Sequence, residues 1–206
     1  MRRAFLALVA VLVCALMATS CASDQTPGLL PGPPDVDVDT AELRQLKADA
    51  GVADCVPGTA DPVDDGLPDV TLPCLGGGPD VNPSTLRGPL VVNLWASFCG
   101  PCRKELPIYQ EFSEKYAGRV AVLGIDYNDT QAELALSLIN DTGVTYPLLA
   151  DPATEMVGKG AFQRIIGLPV LALVDEQGEV VFQEPLQIKS LSQLEELVAD
   201  HLGVSS

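Results

Sequence analysis

Two cysteines separated by two residues, Cys99 and Cys102, are the strongest chemical signal in the sequence. They stand where a buried apolar run over 90–94 gives way to a helix that the apolar spacing predicts over 103–116. At the start of a helix, free backbone N–H groups and the positive end of the helix dipole stabilise a thiolate on the first cysteine. The second cysteine lies one turn further on, close enough to form a disulfide with the first. This spacing predicts a redox-active dithiol.

The first 20 residues predict a secretion signal that is removed from the mature protein. A basic start at Arg2 and Arg3 precedes an apolar run over 5–17, and small residues follow at 18–20. The run is short for a membrane-spanning helix, which needs about 20 apolar residues. An uncleaved signal anchor stays open as the alternative.

Cys21 directly follows the small residues that end this signal. This arrangement resembles the lipobox of bacterial lipoproteins, in which the cysteine becomes the lipidated first residue of the mature chain. The resemblance implies a lipid anchor on Cys21, and secretion without a lipid is the alternative.

The segment over 21–40 is rich in proline, glycine and aspartate, and we expect a flexible linker. The remaining residues, 41–206, are enough for one domain with a single core. The formal charge of the whole chain is -16, and loss of Arg2 and Arg3 with the signal would make it -18. Such an acidic chain is not expected to bind nucleic acid or an anionic membrane surface by electrostatics. Membrane attachment would then be covalent.

The sequence has six cysteines, of which Cys14 leaves with the signal and Cys21 is the lipidation candidate. Four cysteines remain in the domain: Cys55, Cys74, Cys99 and Cys102. An even number fits an oxidising compartment outside the cytoplasm. His201 is the one histidine of the sequence, so we expect no Cys/His metal site and no cofactor.

The pattern of apolar runs and turn residues predicts an α/β fold with a mixed sheet. An N-terminal hairpin is expected near residues 70–81, ahead of the buried strand that leads to Cys99. The further predicted elements are a strand over 120–125, helices over 131–139 and 153–162, a short extended piece over 146–149, a strand over 168–175, its hairpin return over 179–183, and a closing helix over 191–202.

The run Trp95-Ala96-Ser97-Phe98-Cys99-Gly100-Pro101-Cys102 resembles the thioredoxin signature. The Asn-Leu before it, the Glu-Leu-Pro after it, and the extra helix and strand between residues 126 and 162 are similar to the TlpA/ResA subfamily. The resemblance covers about 67–202. It implies a thioredoxin-like fold, in which a mixed sheet is flanked by helices and carries an N-terminal hairpin and a helix–strand insertion.

This resemblance also implies roles for the signature residues. Cys99 corresponds to the exposed nucleophile and Cys102 to the buried resolving thiol. Gly100 and Pro101 lie between them, and Pro101 matches the residue that tunes the reduction potential. Trp95 corresponds to a residue that serves half as packing and half as wall of the active-site surface.

Pro169 corresponds to the cis-proline of the family, which places the backbone of Leu168 beside Cys99, where a bound peptide pairs with it.

The buried aspartate of plain thioredoxin is replaced here by Asn93, which cannot carry a proton. In ResA-like proteins a glutamate three residues after the second cysteine lies near the dithiol, and this position is Glu105. Glu105 could relay the proton of Cys102, and a solvated glutamate on the helix surface is the alternative.

We interpret Cys55 and Cys74 as a structural disulfide that joins the segment before the hairpin to the hairpin. Closing a loop of this size stabilises a fold by about 3 kcal/mol in the chain-entropy model. A second redox-active pair is the alternative, but these two cysteines are distant in sequence and neither begins a predicted helix.

Together, these features predict a lipid-anchored, extracytoplasmic thiol–disulfide oxidoreductase that acts as a monomer. The resemblance implies reduction of protein disulfides, with apocytochrome c as the typical substrate and a membrane thiol transporter of the CcdA/DsbD type as electron donor. A disulfide-forming oxidase or isomerase is the alternative enzyme. A redox-inactive binding lipoprotein is disfavoured, because both cysteines of the motif are present.

Overall fold

A computed structural model describes residues 35–205 of the chain. The predicted signal over 1–20, the lipidation candidate Cys21 and the linker up to residue 34 lie outside the described residues, so these interpretations stay predictions. Residues 35–40 have no regular secondary structure. Within the described range, no helix combines the length and the apolar character needed to cross a membrane.

Within residues 35–205 the structure has four α-helices, one 3-10 turn at Pro83–Thr85 and five strands, and capping residues explain where the α-helices begin and end. Helix α1 begins after Thr40, whose side chain accepts the N–H of Leu43 at 3.2 Å, and it ends at Gly51 with a left-handed φ of 70°. The elements are α1 Ala41–Ala50, β1 Leu90–Trp95, α2 Gly100–Lys115, β2 Ala121–Tyr127, α3 Ala132–Thr142, β3 Leu148–Asp151, β4 Val170–Val174, β5 Val180–Glu184 and α4 Leu191–Leu202.

The strands form one mixed sheet in the order β3-β2-β1-β4-β5. The central strand β1 is parallel to β2 and antiparallel to β4, and all six of its residues are buried. In this register Trp95 lies opposite Asp126. The chain therefore leaves β1 towards Cys99 beside the carboxyl end of β2, which is the edge where parallel sheets present functional loops.

The two faces of the sheet are covered differently. Buried side chains of all four helices pack in one core cluster, which includes Leu43 of α1, Leu106 of α2, Leu136 of α3 and Leu194 of α4. The other face is covered by the segment over 55–81 and by the loop that carries Met156 and Phe162. Helices therefore cover one face of this sheet, and irregular segments cover the other.

The predicted helix over 153–162 is wrong, because this segment is a series of turns. Thr154, Gly158 and Gly160 all have positive φ angles, which an α-helix cannot accommodate. The side chain of Asp151 accepts the N–H groups of Glu155 and Met156 at 2.7 and 3.1 Å, so those donors are bound without a helix.

The predicted N-terminal hairpin is present only as a single antiparallel bridge between Leu72 and Val81. Their backbone N–H and C=O groups exchange two hydrogen bonds of 2.8 and 2.9 Å. Gly76, Gly77 and Gly78 follow with positive φ angles and turn the chain before a longer ladder can form. The insertion of a helix and a strand is present as α3 and β3.

Candidate active site at the Cys99–Cys102 disulfide

The Cys99–Cys102 disulfide lies at the junction of β1 and α2. Cys99 is the N-cap of α2, and the two Cα atoms are 5.3 Å apart. The backbone N–H of Cys102 points at the Sγ of Cys99 over 3.3 Å. An N–H group directed at this sulfur stabilises negative charge on it, so Cys99 is the cysteine of the pair whose thiolate the helix start favours.

The two sulfurs differ in access to solvent. Cys99 is 7% exposed, whereas Cys102 is completely buried. Cys99 borders a cleft of about 400 Å³, whose lining includes Phe98, Pro101 and Leu168. A partner sulfur can reach Cys99 from this cleft and cannot reach Cys102 in the same state.

Leu168 and Pro169 lie in the loop that faces this disulfide across the cleft. The peptide bond between them is cis, as the resemblance implies. Leu168 lines the cleft and is half-buried, whereas Pro169 is buried behind it at the start of β4. Gly100 and Pro101 are both exposed in the first turn of α2.

Trp95 takes only the packing part of the role that the resemblance implied, because it does not form part of the active-site surface. The residue is completely buried in the core on the helix-covered face of the sheet. Its indole N–H has no hydrogen-bond partner. A Cβ at Gly124 would lie only 3.1 Å from this nitrogen, so Gly124 provides the space that the ring needs. Trp95 supports the loop before Cys99 by packing beneath it.

Glu105 is completely buried one helical turn after Cys102, so it is not the solvated surface residue of the alternative interpretation. One carboxyl oxygen, Oε2, accepts the N–H of Ile188 at 2.9 Å, and Oε1 has no partner among residues 35–205. Burial raises the pKa of Glu105 from 4.5 to about 8, although the bond from Ile188 opposes this shift. Glu105 can therefore exchange a proton near neutral pH.

Two buried tyrosines and an amide surround this carboxyl group. Burial and the charge of Glu105 raise the pKa values of Tyr109 and Tyr146, so both phenols stay protonated. The hydroxyl of Tyr146 donates a long hydrogen bond of 3.5 Å to Asn93, and the hydroxyl of Tyr109 has no partner within the part of the chain that the structure describes. Asn93, Glu105 and the tyrosines thus form a buried polar cluster with several unsatisfied groups.

Sequence reasoning missed two carboxyl groups, those of Asp126 and Asp129, which lie next to the loop before Cys99. Both are buried, and Asp129 accepts the N–H of Ser97 at 2.7 Å and that of Gln131 at 2.9 Å. Burial, followed by the charge of Asp129, raises the pKa of Asp126 well above its ordinary value. Burial and the neighbouring charge of Asp129 thus favour the protonated form of Asp126. The signal in the sequence is two acids at the carboxyl end of a buried strand that neighbours β1.

Cys55 and Cys74 also form a disulfide, with Cα atoms 5.9 Å apart. It joins the segment after α1 to the segment next to β3, where Cys74 makes a bridge to Leu149. Both cysteines are at most 2% exposed. Between residues 35 and 205, no group of three or more His, Cys, Asp or Glu side chains could hold a metal ion.

A five-stranded mixed sheet with a disulfide-forming Cys-x-x-Cys pair at the start of α2 and a cis-proline opposite it defines a thioredoxin-like protein. Residues 63–183 match the AhpC/TSA family, and this match covers more than half of the chain. The chain belongs to the AhpC/TSA family.

Several thiol–disulfide proteins are similar to this chain. The thiol-disulfide oxidoreductase ResA of Bacillus thuringiensis (strain Al Hakam) is 29% identical over 93 residues, which cover 45% of this chain and 51% of ResA. The thiol:disulfide interchange protein CycY of Rhizobium leguminosarum bv. viciae is 31% identical over 123 residues, which cover 58% of this chain and 62% of CycY. The chain thus spans about half to two thirds of the length of the curated relatives it matches.

A solved structure agrees over most of the domain. The solution structure of a proposed protein disulfide isomerase from Bacteroides thetaiotaomicron superposes with a TM-score of 0.55 at 32% identity. The match covers 69% of this chain and 91% of that protein. The predicted thioredoxin-like fold is therefore confirmed.

Proposed function

We propose that this protein is a thiol–disulfide oxidoreductase that exchanges electrons with protein disulfides through Cys99 and Cys102. One observation carries the proposal: the disulfide caps α2 with one sulfur at the edge of a cleft and the other completely buried. This asymmetry supports attack by Cys99 and resolution by Cys102. The similarity to ResA and CycY, which are both described as thiol–disulfide proteins, supports the same chemistry.

In the reducing direction, the Cys99 thiolate attacks one sulfur of a substrate disulfide, and the other substrate sulfur leaves as a thiolate. The Sγ of Cys102 then attacks the Sγ of Cys99, so the intramolecular disulfide forms and the first substrate sulfur is released. Two electrons pass from the dithiol to the substrate. The reverse sequence oxidises a substrate dithiol.

Cys102 must lose its proton before it can attack, and Glu105 is the proposed acceptor. It lies one turn along the same helix, and Oε1 has no other partner. Because burial raises the pKa of Glu105 to about 8, its proton affinity is close to that of a thiol, which favours proton transfer near neutral pH. Asn93 cannot serve in this role.

The opposite face of the cleft is proposed to hold the substrate chain. Leu168 lines the cleft together with Cys99 and directly precedes the cis bond to Pro169, so its backbone is the proposed pairing edge. Exposed Phe98 and Ile166 extend the apolar lining of the cleft. Protein disulfides are therefore the proposed substrates.

We further propose that the protein works outside the cytoplasm, held to the membrane by a lipid on Cys21 after removal of residues 1–20, and acts as a monomer. The sequence pattern supports this arrangement, with 21–40 as the linker and 41–206 as the domain. Mass analysis of the mature N-terminus tests it. An acylated Cys21 is expected, and an unmodified N-terminus further along the chain would contradict lipidation.

Within this function, reduction of apocytochrome c with electrons from a CcdA/DsbD-type transporter is the proposed physiological role. The similarity to the thiol-disulfide oxidoreductase ResA and the thiol:disulfide interchange protein CycY supports the underlying thiol–disulfide exchange. A disulfide-forming oxidase or isomerase is the second candidate, favoured by the similarity to the proposed isomerase from Bacteroides thetaiotaomicron.

The reduction potential of the Cys99–Cys102 pair separates these candidates. A reductant is expected to have a potential near that of thioredoxin, about −270 mV, whereas a strong oxidase lies near about −120 mV. A value close to the latter would contradict the reducing role and support the alternative.

A further inference from the structure

Lys47 is a buried lysine whose charged group lies against the second disulfide. The residue is 5% exposed, and its Nζ is 3.3 Å from the Sγ of Cys74. The Nζ also donates to the carbonyl oxygen of Gly77 at 2.7 Å and pairs with the largely exposed carboxylate of Asp54 at 3.2 Å. Buried lysines are rare, because removing an ammonium group from water is costly unless its partners compensate.

The three positions that surround the ammonium group of Lys47, 76–78, require glycine. Gly76, Gly77 and Gly78 all have positive φ angles, and the carbonyl of Gly77 thereby accepts from Lys47. A Cβ on Gly76 would lie 2.7 Å from the Cβ of Lys47, and one on Gly78 would lie 3.5 Å from its Nζ. Glycine residues thus allow the chain to close over the Lys47 side chain and hold Nζ beside Cys74.

Cys55, the other half of the disulfide, has different surroundings. It is among the residues that line a cavity of about 700 Å³, whereas Cys74 is not. The cavity is also lined by Val56, Pro57 and Arg87, and Val56 is largely exposed at its mouth. A volume in this range accommodates a small organic molecule.

The two sulfurs are therefore unequal. Cys74 Sγ contacts the positive charge of Lys47 and does not line the cavity that Cys55 borders. Cys55 Sγ lies 3.2 Å from the carbonyl oxygen of Leu148 and has no charged hydrogen-bond partner among the described residues. In thiol–disulfide exchange the favoured leaving sulfur is the one whose thiolate is better stabilised. A positive charge in hydrogen-bond contact provides that stabilisation.

We propose that Cys55–Cys74 is a second reducible disulfide, which low-molecular-weight thiols attack at Cys55 from this cavity while Cys74 leaves as a thiolate stabilised by Lys47. The sequence offered no helix start at either cysteine, and in the folded protein Lys47 provides the positive charge instead. The proposal is independent of the chemistry proposed for Cys99 and Cys102.

The reaction takes place in two steps. A thiolate forms a bond with the Sγ of Cys55, and the Cys55–Cys74 bond breaks with its electron pair moving to Cys74. A second thiol then attacks the mixed disulfide, which releases reduced Cys55 and an oxidised disulfide of the small thiol. Two molecules of the small thiol together lose two electrons, and the protein disulfide gains them.

The test uses glutathione as the probe and the full chain with Cys99→Ser and Cys102→Ser, so that one disulfide remains in the domain. Free thiols are first blocked with N-ethylmaleimide. The protein is then exposed briefly to glutathione, quenched with acid and digested, and mass spectrometry locates the glutathione adduct. We expect the adduct on Cys55 to exceed that on Cys74 by about tenfold or more. Equal adducts, or a preference for Cys74, would overturn the proposal even if no lysine variant folds.

The Lys47→Met variant in the same background removes the charge. We expect the disulfide to open about tenfold more slowly and the preference for Cys55 to decrease, since loss of a charge-assisted contact of about 1.4 kcal/mol corresponds to one factor of ten. Lys47→Arg retains the charge and should restore the rate. Arg44→Met removes a positive charge from an exposed site on the same helix and should change neither quantity. An unchanged rate and adduct position in Lys47→Met would refute the role of Lys47.

Discussion

Glu105 should make the protein less stable as the pH rises, and Glu105→Gln tests this consequence of its burial. Burial raises the pKa of this carboxyl group from 4.5 to about 8 in the folded protein. Between these two values the folded state retains a proton that the unfolded state has lost. The stability that the neutral carboxyl contributes is therefore fully present below the unfolded pKa and is lost as the pH rises through the folded pKa.

The size of this effect follows from the two pKa values. Each pH unit between them changes the free energy of unfolding by about 1.4 kcal/mol. From pH 5 to pH 7.5, with partial ionisation at each end included, the loss amounts to about 3 kcal/mol. Glutamine cannot ionise, and its side-chain oxygen can still accept the N–H of Ile188. Between pH 5 and pH 7.5, the free energy of unfolding of the variant should therefore rise by about 3 kcal/mol relative to that of the wild type.

Urea unfolding without reductant, followed by far-UV circular dichroism at both pH values, measures this difference. Asp126 and Asp151, whose pKa values burial also raises, are present in both proteins, so their contributions cancel. Glu111→Gln alters an exposed residue of the same helix and serves as the control. If the free energy of unfolding differs between Glu105→Gln and wild type by the same amount at pH 5 and at pH 7.5, the proposed environment of Glu105 is refuted.

Three further predictions concern groups outside the dithiol. Asp129→Ala should destabilise the protein by about 1–3 kcal/mol, because it leaves the buried N–H of Ser97 without a partner; unchanged urea unfolding would contradict this role. Replacing Cys55 and Cys74 together with alanine should lower the unfolding free energy by about 3 kcal/mol, and an unaltered melting curve would contradict a stabilising link. Gly178→Ala should cost about 1–2 kcal/mol, because φ is 94° in the turn between β4 and β5; an equally stable variant would show that the turn relaxes.

The elements around the dithiol could be predicted because their signals are local. The apolar run of β1 and the spacing of Cys99 and Cys102 occur within a few residues of one another, and the structure places both as expected. The helix over 153–162 was wrong because apolar spacing ignores backbone conformation. Gly158 and Gly160 take positive φ angles there, and Met156 and Phe162 are buried by turns instead of by a helix.

The groups that tune the two disulfides could not be predicted, because they depend on long-range contacts. Ser97 and Asp129 are 32 residues apart, and Glu105 accepts from a residue 83 positions away. Lys47 lies 27 residues before Cys74 and carries no sequence signal that connects it to a sulfur. Only the fold brings these charged and polar groups to the cysteines.

Trapping of the mixed disulfide tests the central claim most directly, namely that Cys99 attacks and Cys102 resolves. Reduced full-length Cys102→Ala is mixed with a disulfide-containing peptide, and adducts are located by mass spectrometry; Cys99→Ala is the matched control. We expect a stable adduct on Cys99 in the first variant, because the resolving thiol is absent, and no adduct on Cys102 in the second, because that residue is completely buried. An adduct on Cys102 in Cys99→Ala, or none on Cys99 in Cys102→Ala, would contradict the account.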